Sequence, residues 1–240
     1  MRAGYGQGLH AEVASVLDWW TLAGADMAVG ESPRDWLKPA APTPAAAHAP
    51  EAPAPASVQP AFPGTLDAFV QWLAEHDDEA LLGPRARRVA PEGDPSAGLM
   101  ILIDMPGQED ADDGRLLTGP AGRLLDRMLA AIGAGRDRAW LAPLSPARPA
   151  GGRIDAGHLA ALADIARHHV ALVKPQRLLL LGAPTAEAML GAGHGEARGK
   201  AHLVNEILTI ATFTPQVLLG APAMKAGAWA DLRLMLKGEQ

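Results

Sequence analysis

The stretch LMILIDMPGQEDADDGRLLTGPAGRLLDRMLAAIG, residues 99–133, is where the fold is decided. Its first five residues are aliphatic without interruption, the pattern of a strand buried on both faces. Its last fifteen open with Gly-Pro-Ala-Gly and then set Leu124, Leu125, Met128, Leu129 and Ile132 on one face of a helix. Between them lie a Pro-Gly turn and an acidic loop, QEDADDGR.

Outward from that unit the same alternation repeats. WLAPL (residues 140–144) predicts a second strand, HLAALADIARHHVALV a second helix, RLLLLG (177–182) a third strand, and PTAEAML a helix after it. EILTIATF (206–213) predicts a fourth strand, and APAMKAGAWADLRLMLKG a closing helix. Upstream, TLDAFVQWLAEH (65–76) offers Thr65 as a cap and Leu66, Phe69, Val70 and Leu73 as an apolar face. Strands alternating with helices imply right-handed crossovers. The expected fold is therefore α/β, with three layers and a central, mostly parallel four-stranded sheet covered on both faces. In such sheets ligands sit at the carboxyl ends of the strands.

Three segments are expected: 1–38, a helical segment; 39–64, a Pro/Ala-rich linker too poor in apolar side chains to build a core; and 65–240, the globular domain. Within the first, residues 11–29 repeat apolar side chains at helical spacing, and Trp19, Trp20 and Trp36 suit either packing on the main domain or docking of a partner. The formal net charge of −6 argues against coating nucleic acid through bulk attraction, although a local basic groove stays compatible with it. There is no cysteine, which excludes disulfides, thiol nucleophiles and thiolate-held clusters. No apolar run reaches the roughly 18 residues of a membrane span, and the N-terminus has no export signal, so the expected location is the cytoplasm.

Asp104 is the carboxylate placed at the first strand's end, where a side chain can activate water or stabilise a cationic sugar; a turn-forming aspartate before Pro-Gly fits the same local sequence. Gly119 opens a helix whose free amides suit a phosphate or a base edge. Thr185 reads either as a helix cap or as part of a plain turn. Arg148, Arg153, Arg198, Lys200 and Lys225 are candidate phosphate contacts, or else solubilising charges. His168 and His169 are adjacent on a helix and point about 100 degrees apart, so they do not chelate one ion, and no metal is expected.

The order of segments resembles family 4 uracil-DNA glycosylases, the iron-sulfur type. The specific text is I-D-M-P-G, then the acidic loop, then L-L-T-G-P-A-G-R-L-L-D-R-M-L; the C-terminal counterpart is T-P-Q-V-L-L-G-A-P-A-M-K-A-G-A-W-A-D-L. The resemblance implies a water-handling acid at Asp104, a base-binding turn at Met105, Pro106 and Gly107, and DNA contacts at Gly119 and Gln216 besides the cations named above. It also exposes departures. The uracil-stacking phenylalanine of the family is Leu117 here, the asparagine that reads the uracil edge is Pro143, and the histidine that stabilises the leaving uracil is Thr214. An arginine of the C-terminal motif becomes Gly220, and a cluster cysteine becomes Ala147. A degenerate member without a cofactor is expected. Two readings follow: a binding or scaffold module in DNA repair or replication, engaging DNA and reaching a protein partner through the N-terminal tryptophan helix, or an active glycosylase for uracil or another damaged base.

Overall fold

The computed structural model describes residues 62–237, which lie in the second of two units into which the chain divides, Val58–Gln240. The expected N-terminal helix and all of the linker before Phe62 lie outside the described residues. The end of that linker belongs to the domain: Phe62 meets the rings of Phe69 and Trp72 edge-on, and His168 Nε2 lies 2.8 Å from the Pro63 carbonyl.

Helix α1 (Leu66–Glu75) begins where the sequence says, since Thr65 Oγ1 accepts from Ala68 N, and it buries Phe69 and Leu73. Its last turn is held by Arg88, whose Nη1 donates to the carbonyls of Leu73 and His76. A short helix α2 (Glu79–Leu82) and an edge strand β1 (Glu92–Gly93) lead to β2 (Leu99–Ile103). The acidic loop is partly helical, α3 (Asp110–Asp113), and is followed by α4 (Gly119–Ala131) and β3 (Trp140–Pro143). Then come α5 (Ala156–Val173), β4 (Arg177–Leu181), α6 (Ala183–Leu190), α7 (His194–Ala197), β5 (Ala201–Val204) and β6 (Ile207–Thr212). Helices α8 (Pro215–Gly220) and α9 (Lys225–Lys237) close the described chain.

The six strands run in the order β1-β3-β2-β4-β6-β5. The four central strands are parallel and are the four that hydrophobicity predicts; β1 and β5 are antiparallel edges. Both edges were missed for one reason: they are short and exposed, so neither shows an apolar run. Residues 193–202, which carry Arg198 and Lys200, hold α7 and the start of β5, and α8 lies between β6 and the closing helix.

Alternate residues of each central strand feed opposite cores. Met100, Leu102, Leu178 and Leu180 pack with Phe69 of α1, Leu162 and Val170 of α5 and Met189 of α6. Ile101, Ile103, Leu179, Leu181 and Ile210 pack with Leu125 and Leu129 of α4, Leu218 of α8 and Leu232 of α9. This double burial is why the strands read as continuous aliphatic runs. The chain leaves β2 toward β3 on one side and β4 toward β6 on the other, so the carboxyl ends of β2 and β4 flank the point where winding reverses, where crevices form in open α/β sheets.

Candidate functional site

Asp104 follows β2 at that point. Its main chain is fixed by Ser145 N donating to its carbonyl at 3.0 Å. Its carboxylate leans over Gly182, the residue after β4, and receives the amide of Thr185 at 3.3 Å. Gly182 has φ +113°, and a methyl group there would collide with the Asp104 carboxylate, so glycine is required on both conformational and steric grounds. Burial pushes the Asp104 carboxyl up to about 7, against the opposing hydrogen bond from Thr185; no charged neighbour contributes. Thr185 itself is no cap: its hydroxyl donates to Gly182 O inside the first turn of α6.

The turn expected to bind a base is built around a residue the sequence concealed. Asp110 is 3% exposed and accepts four hydrogen bonds, from Gly107 N (2.7 Å), Leu117 N (2.8 Å), Thr118 N (2.9 Å) and Thr118 Oγ1 (2.8 Å). Burial works to raise its pKa, but these bonds prevail and leave it below the ordinary carboxylate value. Arg136 grips the other side, donating to Leu116 O at 2.9 Å and Leu117 O at 2.6 Å. Between these clamps Leu117 adopts φ +51°, uncommon for a leucine. Its side chain is 2% exposed among Leu116, Ala121 and Leu218, so it adds to the core rather than presenting a base-stacking surface, a correction to its expected place in a substrate site. Four acids crowd the loop QEDADDGR, and nothing local singles out Asp110.

Other expected contacts separate. Pro143 ends β3 opposite Ile103, buried, and borders a cavity of about 80 Å³ with Val70, Leu73 and Arg88. Thr214 caps α8, its hydroxyl accepting from Val217 N at 3.3 Å. Met105 is half-buried and Pro106 buried, while Gln216, Lys200 and Lys225 are exposed. The first turn of α4 is not an open phosphate cradle, because Thr118 N already donates to Asp110 and the Glu109 carboxylate lies near Gly119.

Arg198 needs the clearest correction. Its Nε and Nη2 lie 2.8 and 2.7 Å from Asp231 Oδ2, and its guanidinium sits 3.6 Å over the Phe213 ring. Asp231, 1% exposed, also accepts from Gly199 N and Thr212 Oγ1. A cation so committed joins α9 to the β5 and β6 edge and is not available to phosphate. His194 stacks edge-on with Phe213, and its Nε2 lies 3.0 Å from Thr212 O. His169 takes the Trp140 indole N–H at 2.9 Å, and burial pushes its pKa down to about 3.

A groove of about 840 Å³ runs beside the loop after β3, lined by Arg87, Arg148, Arg153 and His158 together with the acids Glu79 and Asp155 and a set of apolar residues. Arg148 reaches back to Pro106 O at 3.3 Å and so joins this groove to the turn beside Asp104. Ala147, where the resemblance places a cluster cysteine, is 1% exposed against Gly83. With no thiolate anywhere in the sequence, the residues present do not fit an iron-sulfur cluster. Among the described residues no group of three or more His, Cys, Asp or Glu is placed to hold a metal ion, and no helix is long and apolar enough to cross a membrane.

Comparison with known proteins adds the following. The family model described as the Uracil DNA glycosylase superfamily matches residues 90–233. The chain is 25% identical over 165 residues to a protein named Type-4 uracil-DNA glycosylase from Pyrobaculum aerophilum, covering 64% of this chain and 84% of that one. It is 25% identical over 153 residues to a protein of the same name from Sulfurisphaera tokodaii, covering 59% of this chain and 70% of that one.

Proposed function

Because the chain belongs to the uracil DNA glycosylase superfamily, we propose that it is a member impaired in uracil excision that acts as a DNA-engaging binding or scaffold module in repair or replication. One observation carries this reading. The carboxyl end of β2 carries Asp104, while the positions from which the resemblance draws an amide, a histidine and an arginine hold Pro143, Thr214 and Gly220. Excision of uracil asks for a flipped base held by its edge and a leaving group stabilised in charge. Each missing handle is worth about 2–3 kcal/mol at the transition state, so three together remove several orders of magnitude in rate. The same proposal has the protein working without a cluster, in the cytoplasm, and with a partner docked through the tryptophans of residues 1–38.

A second reading, an active glycosylase for a different base, is favoured by Asp104 itself, a largely buried carboxylate at the strand end whose pKa burial raises to about 7. Incubating the full chain with single- and double-stranded oligonucleotides containing uracil, hypoxanthine or no lesion separates the two. The first reading expects retardation in a binding assay with no alkali-labile sites at stoichiometric protein. Alkali-labile sites at uracil or hypoxanthine that vanish in Asp104→Ala would overturn it.

A further inference from the structure

The groove of about 840 Å³ beside the loop after β3 is lined by none of the residues 104–107, and its lining is of two kinds. Leu81, Pro84, Pro149, Ile154 and Leu162 supply apolar surface from α2, the loop after β3 and α5. Arg87, Arg148, Arg153 and His158 supply the cations. Two of these cations are uncommitted or nearly so. Arg153 is exposed, and among the described residues its side chain has no ion pair or hydrogen bond. Arg148 is also exposed and spends one long bond, Nη1 to Pro106 O at 3.3 Å. Its guanidinium lies against Gly152, where φ is +67° and an added Cβ would fall 2.4 Å from Nη2, so the glycine makes the room that sets this arginine in place. Arg87 is paired with Asp112, which is not in the lining.

The two acids of the groove are occupied locally. Asp155 Oδ1 accepts from Gly157 N at 2.7 Å and caps α5, and Glu79 Oε1 accepts from Arg85 N at 3.4 Å. Neither is paired with an arginine of the groove among the described residues, so Arg148 and Arg153 are left to an outside anion. The rest of the lining says what kind of anion. No Phe, Tyr or Trp lines the groove, whereas single-stranded nucleic acid is ordinarily held by stacking its bases on such rings. A bare phosphate backbone would meet the arginines and leave the apolar wall wet. The net charge of −6 also disfavours a long polyanion. An occupant that brings carboxylates and aliphatic or aromatic groups on one short segment covers both kinds of surface, and the volume is within the range of sites that enclose a few side chains.

We infer that this groove docks a short acidic peptide segment of a partner protein, its carboxylates received by the Arg148 and Arg153 forks and a large apolar side chain laid against Leu81, Ile154 and Leu162. The site goes beyond the function proposed above: it asks nothing of Asp104 and stands whether or not the chain excises a base.

The test selects random dodecapeptides displayed on phage against the full chain, with the double variant Arg148→Glu, Arg153→Glu as counter-target, and measures the enriched peptides in solution by fluorescence anisotropy. Enriched sequences are expected to carry two or more Asp or Glu beside a large apolar residue, to bind less tightly as salt rises, and to lose about tenfold or more in affinity for the double variant. Ala80→Trp, on an exposed residue of the lining, fills the groove without changing its charge and is expected to weaken the same peptides by a similar factor. Enrichment of nothing, enrichment of peptides without acids, or equal affinity for wild type and both variants with native circular dichroism spectra would overturn the inference. Labelled oligothymidylate is run alongside. Its retention by the wild type and loss in the double variant, with no acidic peptide enriched, would give the groove to a nucleic-acid backbone, sinking the peptide while leaving the DNA-engaging reading in place.

Discussion

Asp104 and Asp231 are both carboxylates at the mouth of one sheet, and they are treated in opposite ways. Asp231 is saturated: Arg198, Gly199 N and Thr212 Oγ1 all converge on it. Asp104 has one long hydrogen bond from Thr185 and, among the described residues, no counter-ion. Asp110 belongs with Asp231, its four donors spent on shaping the turn 107–118. A fully satisfied charge holds elements together, whereas an unsatisfied one costs stability and is retained where chemistry or binding uses it.

That contrast can be broken most directly at Asp231. Asp231→Ala strands the Arg198 guanidinium, and chemical denaturation is expected to show a loss of about 4 kcal/mol. Next comes Asp104. Its carboxyl is raised to about 7 when folded, so the unfolded chain ionises first as pH climbs; stability attributable to this group is full below about pH 4 and is lost between there and pH 7. Asp104→Asn should remove that slope, worth about 3 kcal/mol after allowance for partial exposure, in denaturation midpoints measured across the window. If the wild type and the variant run parallel, Asp104 is not the dry group described.

Asp110 should behave with the opposite sign. Its carboxyl is lowered by its donors, so its contribution is present above the unfolded pKa and lost as pH falls through the folded one. Asp110→Asn keeps one acceptor oxygen and forfeits the charge, with an expected loss of about 2 kcal/mol at neutral pH that shrinks in acid. The smallest effect is at Thr214, whose hydroxyl is spent on a cap. Thr214→Ala should cost about 1 kcal/mol in thermal unfolding without altering any pH dependence.

The four parallel strands and the long helices were legible because double burial forces aliphatic runs and one-sided burial forces a helical stripe. Residues 99–103 and 177–181 are the plainest cases. The edge strands were not, since Ala201–Val204 pairs on one side and leaves Leu203 74% exposed, which makes the segment look like a loop. The last helix was anticipated as one piece from residue 221, but the three-residue turn Pro222–Met224 precedes it, and Pro222 explains the break. Within the site, the placement of Asp104 followed from strand logic alone. Asp110, Arg136 and Asp231 did not, because each acts through at least one partner distant in sequence: Leu117 lies 7 positions from Asp110 and 19 from Arg136, and Arg198 lies 33 from Asp231. A local window holds no trace of such a bond. Arg198 misled for the same reason: in sequence it is a cation among glycines, and only the fold supplies its acid.

Gly182 has a bearing on descent. While Asp104 occupies its present rotamer, every mutation at position 182 that adds a side chain meets the carboxylate, so the two positions are coupled: loss of the acid lifts the collision and leaves only the conformational cost of φ +113° to hold the glycine. In a lineage of such proteins, loss of the acid should come before loss of the glycine, which makes position 182 a record of how recently the crevice was under selection.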